Sequence, residues 1–307
     1  MINWKDAVTY LVEKHQSYKP KCYLINESTA AYFADKDFIN FIIPARGRVE
    51  FAKPLYESFI NATIQFKHQV LFTFVEHSEE KQHSDYFADK DVNYIHIEAG
   101  PGEQFNKCLC YNIGVKSSPK TKYVLCHDLD ILIKPDFFNN IMANIERKQY
   151  QAMQCYTGRR VLNLDKELTD KILTEGLTDS NYKNLEVSSS GVGMPMYLGK
   201  PALGSKGGSI IVKSELFNKV GGFDDGLFRA YSAEDAFFWD KISCFTDIGY
   251  ADEPAIELLH MYHPPQIGSN PFYQEMQRDY DLFKTMPKEF KLAYIKNITD
   301  AKEKVTR

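Results

Sequence analysis

The 307-residue chain has no Cys-x-x-Cys pair, and its six cysteines (Cys22, Cys108, Cys110, Cys126, Cys155, Cys244) are scattered. That spacing excludes a paired-thiol motif and leaves small buried thiols in a reducing compartment as the expected state. No apolar run approaches the length of a membrane span. Trp4-Lys5-Asp6 interrupts the start of the chain, which excludes the apolar core of a secretory leader. There is no excess of positive charge. A net charge of −4 and a pI near 6.1 argue against a nucleic-acid partner. No internal repeat is visible. The expected setting is cytoplasmic, where the sequons at Asn26, Asn61 and Asn297 are chance matches.

What remains is an ordinary globular composition, 44% hydrophobic and 25% charged, long enough for one large α/β domain. The 21 Phe and 19 Tyr suit either an aromatic core or the lining of a sugar or base pocket. Apolar residues Trp4, Ala7, Val8, Leu11 and Val12 predict an N-terminal helix within an extension covering 1–37. Strands are predicted at 38–43 (ended by Pro44), 69–75, 92–97 and 122–126, with helices over 49–61, 103–116 and after Pro135. A strand at 209–212, helices from Ser214 and Glu234, a strand at 255–260 and a helical tail over 266–307 complete the chain. Strands alternating with helices predict a mainly parallel sheet covered on both faces. Residues 157–206, rich in Gly, Ser, Thr and Asn around Ser188–Gly193, read as a lid or acceptor-binding insert. The lysine-rich tail reads as a solvated helix face, open to a peripheral membrane contact.

Four local features carry chemistry. The strand at 122–126 is followed by Asp128-Leu129-Asp130, a carboxylate pair suited to a divalent cation. Pro44-Ala45-Arg46-Gly47-Arg48 follows the first strand, and two arginines in such a turn can hold a diphosphate. Glu234-Asp235 opens a helix after a glycine-rich loop, where acids also serve simply as caps. His260-Met261-Tyr262-His263 ends an apolar strand and could present imidazole to a metal.

In this order, these segments resemble the inverting GT-A glycosyltransferases, nearest to the β-1,4-galactosyltransferases. Polypeptide N-acetylgalactosaminyltransferases and bacterial chondroitin-type polymerases are kin. Ile42–Arg48 looks like the family's Ile-Pro-x-Arg-x-Arg turn, and Phe105-Asn106-Lys107 through Asn112-Ile113-Gly114 is similar to its Phe-Asn-Arg helix. Asp128-Leu129-Asp130 matches its Asp-x-Asp signature. Gly207-Gly208 through Gly222-Phe223 to Glu234-Asp235 reproduces its most specific block. The resemblance spans about 38–265, a GT-A catalytic domain.

The resemblance implies a role for each position. Arg46 and Arg48, with Pro44 and Gly208 beside them, would bind the nucleotide diphosphate, and Phe74 would lie near the uracil. Asp130 would ligate Mn²⁺ or Mg²⁺, with His263 as partner ligand and His260 as a second, since His260 stands where the family has Met. Asp128 would contact the ribose or an outer-shell water. Asp235 would be the catalytic base and Glu234 would position the acceptor. Tyr231 stands in place of a loop tryptophan. Ser205, where galactose-specific relatives carry an aromatic ring, would admit an N-acetyl group, so GalNAc competes with Gal. The implied activity is transfer from a UDP-sugar to a glycan or lipid-linked glycan acceptor, in bacterial surface polysaccharide synthesis. A nucleotidyl- or phosphotransferase and a non-catalytic sugar-nucleotide-binding subunit stand as alternatives.

Overall fold

Ile39, Phe41 and Ile43 alternate with Ile42 between two separate apolar clusters, so this run is a strand buried on both faces. In the computed structural model, which describes residues 2–18, 39–156, 161–177, 207–264 and 270–305, it is β1 (Ile39–Ala45). The strand continues through Pro44 rather than stopping at it. Pairing with β4 (Tyr123–His127) ends at Ile42, so Pro44 has a ladder neighbour only in β2 (Val70–Ser78). A residue without an N–H is tolerated there.

Among the described residues the main sheet has seven strands, in the order β3-β2-β1-β4-β8-β6-β9. Besides those named, these are β3 (Asn93–Glu98), β6 (Ala152–Gln154), β8 (Ser209–Lys213) and β9 (Gly249–Tyr250). Only β8 runs antiparallel to its neighbours, as the expected mainly parallel sheet requires. Helix α2 (Val49–Thr63) and the short α3 (Ser84–Phe87) connect the first strands. Helix α4 (Lys107–Lys116) starts four residues later than the sequence pattern suggested. Its cap is Asn106, whose side chain accepts from the Leu109 N–H at 2.9 Å. α4 lies so close to β1 that a Cβ on Gly114 would come 2.7 Å from Ile42 Cγ2.

A second, three-stranded sheet has the order β5-β10-β7, formed by β5 (Ile131–Ile133), β7 (Val161–Asn163) and β10 (Leu258–His260). Its register sets His260 beside Ile131 and Asn163. The described part of the 157–206 segment therefore contains regular structure, β7 and α6 (Lys166–Glu175), rather than loop alone. Ser188–Gly193, Ser205 and Lys206 lie outside the described residues.

Helix α5 (Phe137–Lys148) covers one face, with α7 (Ser214–Lys219) and α8 (Glu234–Ile242) on the other. Both ends of the chain share that second core. Ala7, Val8 and Leu11 of α1 (Trp4–Ser17) pack in one cluster with Phe283 of α9 (Tyr273–Thr285) and Tyr294 of α10 (Lys288–Val305). The Lys241 ammonium pairs with Asp224, both side chains fully buried, and the Tyr294 hydroxyl donates to Asp224 at 2.5 Å. Removing one partner of such a pair costs about 3–5 kcal/mol, because the other charge is left buried and unmatched. The tail thus locks the loop that precedes α8. No helix among the described residues is long and apolar enough to cross a membrane.

Candidate active site

The carboxyl ends of the parallel strands face one crevice, where open α/β sheets collect ligands. After β1 the backbone turns through two left-handed residues, Gly47 (φ 61°) and Arg48 (φ 51°). For arginine this conformation costs on the order of 1 kcal/mol and needs an external hold. The hold is an ion pair between Arg48 and Asp130, with the guanidinium also 3.2 Å from His263 Nδ1. Arg46 points the other way and donates to the Glu103 carbonyl. Arg46, Gly47, Ser78, Glu79, Glu80 and Phe105 line a cavity of roughly 580 Å³.

The loop under that cavity is fixed by Glu76, fully buried at the end of β2. Its carboxylate accepts from Ser78 Oγ at 2.6 Å, from the Gln82 and His83 amides at 2.8 and 3.2 Å, and from the Tyr94 hydroxyl. Burial alone would raise its pKa, but the His83 imidazole, whose Nδ1 lies 3.2 Å away, together with these donors outweighs it and brings the group down to about 2. Phe74 is a correction. Its ring is fully buried, 4.5 Å from Phe87 and 4.9 Å from His83, and offers no face to a ligand. The aromatic residue on the cavity wall is Phe105.

The second edge of the crevice is built by the small sheet. The β5–β10 register and the Met261 N–H to Asp130 carbonyl bond (2.8 Å) bring the Asp-x-Asp turn against the His-x-x-His segment. His263 Nε2 lies 3.0 Å from Asp130 Oδ2, and His260 Nε2 lies 3.7 Å from Asp130 Oδ1. One carboxylate oxygen and two imidazole nitrogens thus fall within 4.8 Å of one another, a donor set that fits one divalent ion. Burial opposes ionisation of Asp130, yet the His263 hydrogen bond first, and then the neighbouring His260 and the Arg48 guanidinium, hold it well below the usual carboxylate range. Burial pushes His260 down, toward the neutral form a metal needs. The hydrogen bond to Asp130 raises His263 instead, so this ring would shed a proton on binding metal. His260 is oriented by Asn163, 2.9 Å from its Nδ1.

The Asp-x-Asp turn has its own support. His127 is fully buried, and burial lowers its pKa to about 4, so the ring is neutral. Its Nε2–H donates to the Ile131 carbonyl at 2.8 Å, which leaves Nδ1 to accept from Ser209 Oγ at 2.9 Å. Gly208, with φ 85°, offers its carbonyl to the Asp128 N–H at 2.9 Å. Pro44 is buried within β1, so it shapes the arginine turn without facing the crevice.

Opposite the metal triad lies the carboxylate pair at the start of α8. Glu234 is buried and accepts from the Ser232 N–H at 2.8 Å. Asp235 sits over Gly207, where a Cβ would come 2.3 Å from Asp235 Oδ2. Burial raises Asp235 to about 7; Lys107 opposes the rise, and the negative charges of Glu234 and Asp128 add to it. Lys107 joins the two sides of the crevice. Its Nζ is 3.0 Å from Asp235, 3.2 Å from Glu234 and 3.4 Å from Asp128. Asp128 also accepts from the Tyr111 hydroxyl at 3.1 Å.

Lys107 and Tyr111 both lie within the motif read from the sequence, which gives neither a role, and Asn163 lies outside every motif. A signal for Lys107 was present: a cation in the first turn of a helix runs against the dipole and calls for a local reason. Asn163 had none, because a three-residue strand carries no periodicity to read.

No protein-family model and no curated protein matches this chain. Solved structures do. Staphylococcus aureus TarS 1–349 superposes with a TM-score of 0.52 at 16% identity, covering 85% of this chain and 71% of that one. The same protein in complex with UDP-GlcNAc gives 0.51 at 14% identity, over 83% and 69%. A Drosophila β1,4-galactosyltransferase 7 mutant complexed with manganese, UDP-Gal and xylobiose gives 0.48 at 11%, over 79% of each chain. Sheet order, strand directions and the two TarS superpositions agree, and the chain has a GT-A fold.

Proposed function

We propose that this protein is a metal-dependent inverting glycosyltransferase that moves a hexose or N-acetylhexosamine from a UDP-sugar to a glycan hydroxyl. One observation carries the reading. A cation-binding triad, an arginine turn and a buried carboxylate near neutral pKa converge on one crevice. The UDP-GlcNAc complex of the TarS neighbour supports a uridine nucleotide as the donor carrier. Gal or GalNAc as the transferred sugar, bacterial surface polysaccharide as the product and a lipid-linked acceptor follow from the sequence resemblance and belong to this proposal.

Asp130, His263 and His260 would hold the divalent ion, and two imidazoles favour Mn²⁺ over Mg²⁺. When bound, the ion supplies positive charge to the departing diphosphate. Arg48 lies beside that position, and Arg46 with Phe105 lines the cavity proposed for the nucleoside end. Asp235 would take the acceptor hydroxyl's proton as the new C–O bond forms, and Glu234 would orient the acceptor. A carboxylate near pKa 7 accepts a proton readily and remains substantially ionised at neutral pH. No covalent nucleophile is needed.

Product analysis tests the reading. UDP released from a UDP-sugar supports glycosyl transfer; pyrophosphate released from a nucleotide triphosphate would favour the nucleotidyltransferase alternative. Arg48→Ala is expected to weaken UDP by about tenfold and uridine by much less, measured by calorimetry, because its proposed partner is the diphosphate. Equal losses for both ligands would remove Arg48 from that role. Gly207→Ala should fold, since the clash falls on the end of a flexible side chain. It should lower turnover by about 100-fold, because Asp235 must leave its position. A thermal melt and a UDP-release assay check the two halves of that expectation.

A further inference from the structure

Lys107 is the first residue of α4, and its ammonium lies at the centre of three carboxylates from two other elements. An ammonium has three N–H donors arranged about one point and no acceptor. Asp128 arrives from the end of β4, and Glu234 with Asp235 from the start of α8. Each of the three lies within 3.4 Å of Nζ. Where the resembled family carries arginine, this chain carries the one side chain whose donors can radiate toward three separate acids. A planar guanidinium suits two oxygens side by side. Lys107 is itself only 16% exposed, so the charges meet largely out of water.

We propose that Lys107 is the positioning residue of the transfer reaction, fixing the base Asp235 relative to Asp128 by gripping both through one ammonium. The inference rests on the glycosyltransferase reading above. Asp128 belongs to the donor side and Asp235 to the acceptor side, so the grip sets the separation between the two substrates. It engages Oδ2 of Asp235 and leaves Oδ1 to receive the acceptor proton. The other groups acting on Asp235 are Glu234 and Asp128, which repel its charge, and Tyr111, Tyr231, Cys108 and Cys126. Burial keeps those hydroxyls and thiols protonated. Lys107 is the counter-charge in that set.

The test compares Lys107→Met and Lys107→Arg with the wild type, as kcat against pH on the UDP-sugar that the wild type turns over. In Lys107→Met, kcat at pH 7 should fall at least about tenfold, and the acid limb should move up by one pH unit or more. UDP affinity should stay within about threefold, which a general structural lesion would not allow. Lys107→Arg should return the limb to its wild-type position. If Lys107→Met does not fold, Lys107→Gln keeps a polar head in the cleft and should show the same displaced limb. An acid limb that stays put in the neutral variant overturns the inference while leaving the enzyme reading intact. A wild type that releases UDP from no donor overturns the enzyme reading itself.

Discussion

Asp235→Asn is expected to lower transfer by about 10²–10⁴-fold while metal-dependent UDP binding stays within about threefold of wild type. The substitution is nearly isosteric and keeps a hydrogen-bonding head beside Lys107 and Gly207, so the crevice should hold its shape. What it removes is the ability to take a proton. The wild-type profile carries the same signature. Asp235 is raised to about 7 by burial, and a base works only when deprotonated, so kcat should climb as pH rises through about 7. The variant should lose that limb. Residual turnover that keeps a limb near 7 would assign the base to another group. An intact UDP site with no turnover would also dispose of the non-catalytic alternative, since a scaffold subunit has no turnover to lose.

Asp130→Ala is expected to abolish the metal dependence of UDP binding and to lower turnover by about 10²–10⁴-fold, the loss that several kcal/mol of charge stabilisation implies. Asp130 is the one carboxylate of the triad, and both histidines are arranged around it. Without it, His263 loses the partner that raises its pKa, and Arg48 loses the ion pair that holds its left-handed backbone. The calorimetric comparison is UDP with Mn²⁺ against UDP with a chelator. Wild type should bind markedly tighter with metal, and the variant equally in both. A variant that still gains affinity from Mn²⁺ would exclude Asp130 as a ligand.

Much of this site was legible before the fold was known, and the reasons differ from residue to residue. Asp130 and His263 stand at the ends of apolar strands, a pattern that betrays a crevice. Glu234 and Asp235 carried only the weak signal of helix-start acids; the glycine-rich block before them made them specific. Phe74 misled because strand periodicity tells which residues alternate, not which face meets the ligand; its face is core. The small sheet was invisible for a different reason. Strands of three residues, such as β5 and β7, have no pattern to read, yet their register brings Asp130 to His260. The N-terminal helix was legible as an amphipathic face, but its partner, α10, lies at the far end of the chain. Lys107 was hidden because its three partners come together only in space.

The central claim is that this crevice transfers a sugar from UDP by single displacement with Asp235 as base. Proton NMR of the freshly formed product, with an α-linked UDP-sugar as donor and Mn²⁺ present, tests it most directly. The account predicts UDP and a β-configured sugar, formed only with metal and not by Asp235→Asn. An α-configured product, or a rate indifferent to Asp235, would contradict it.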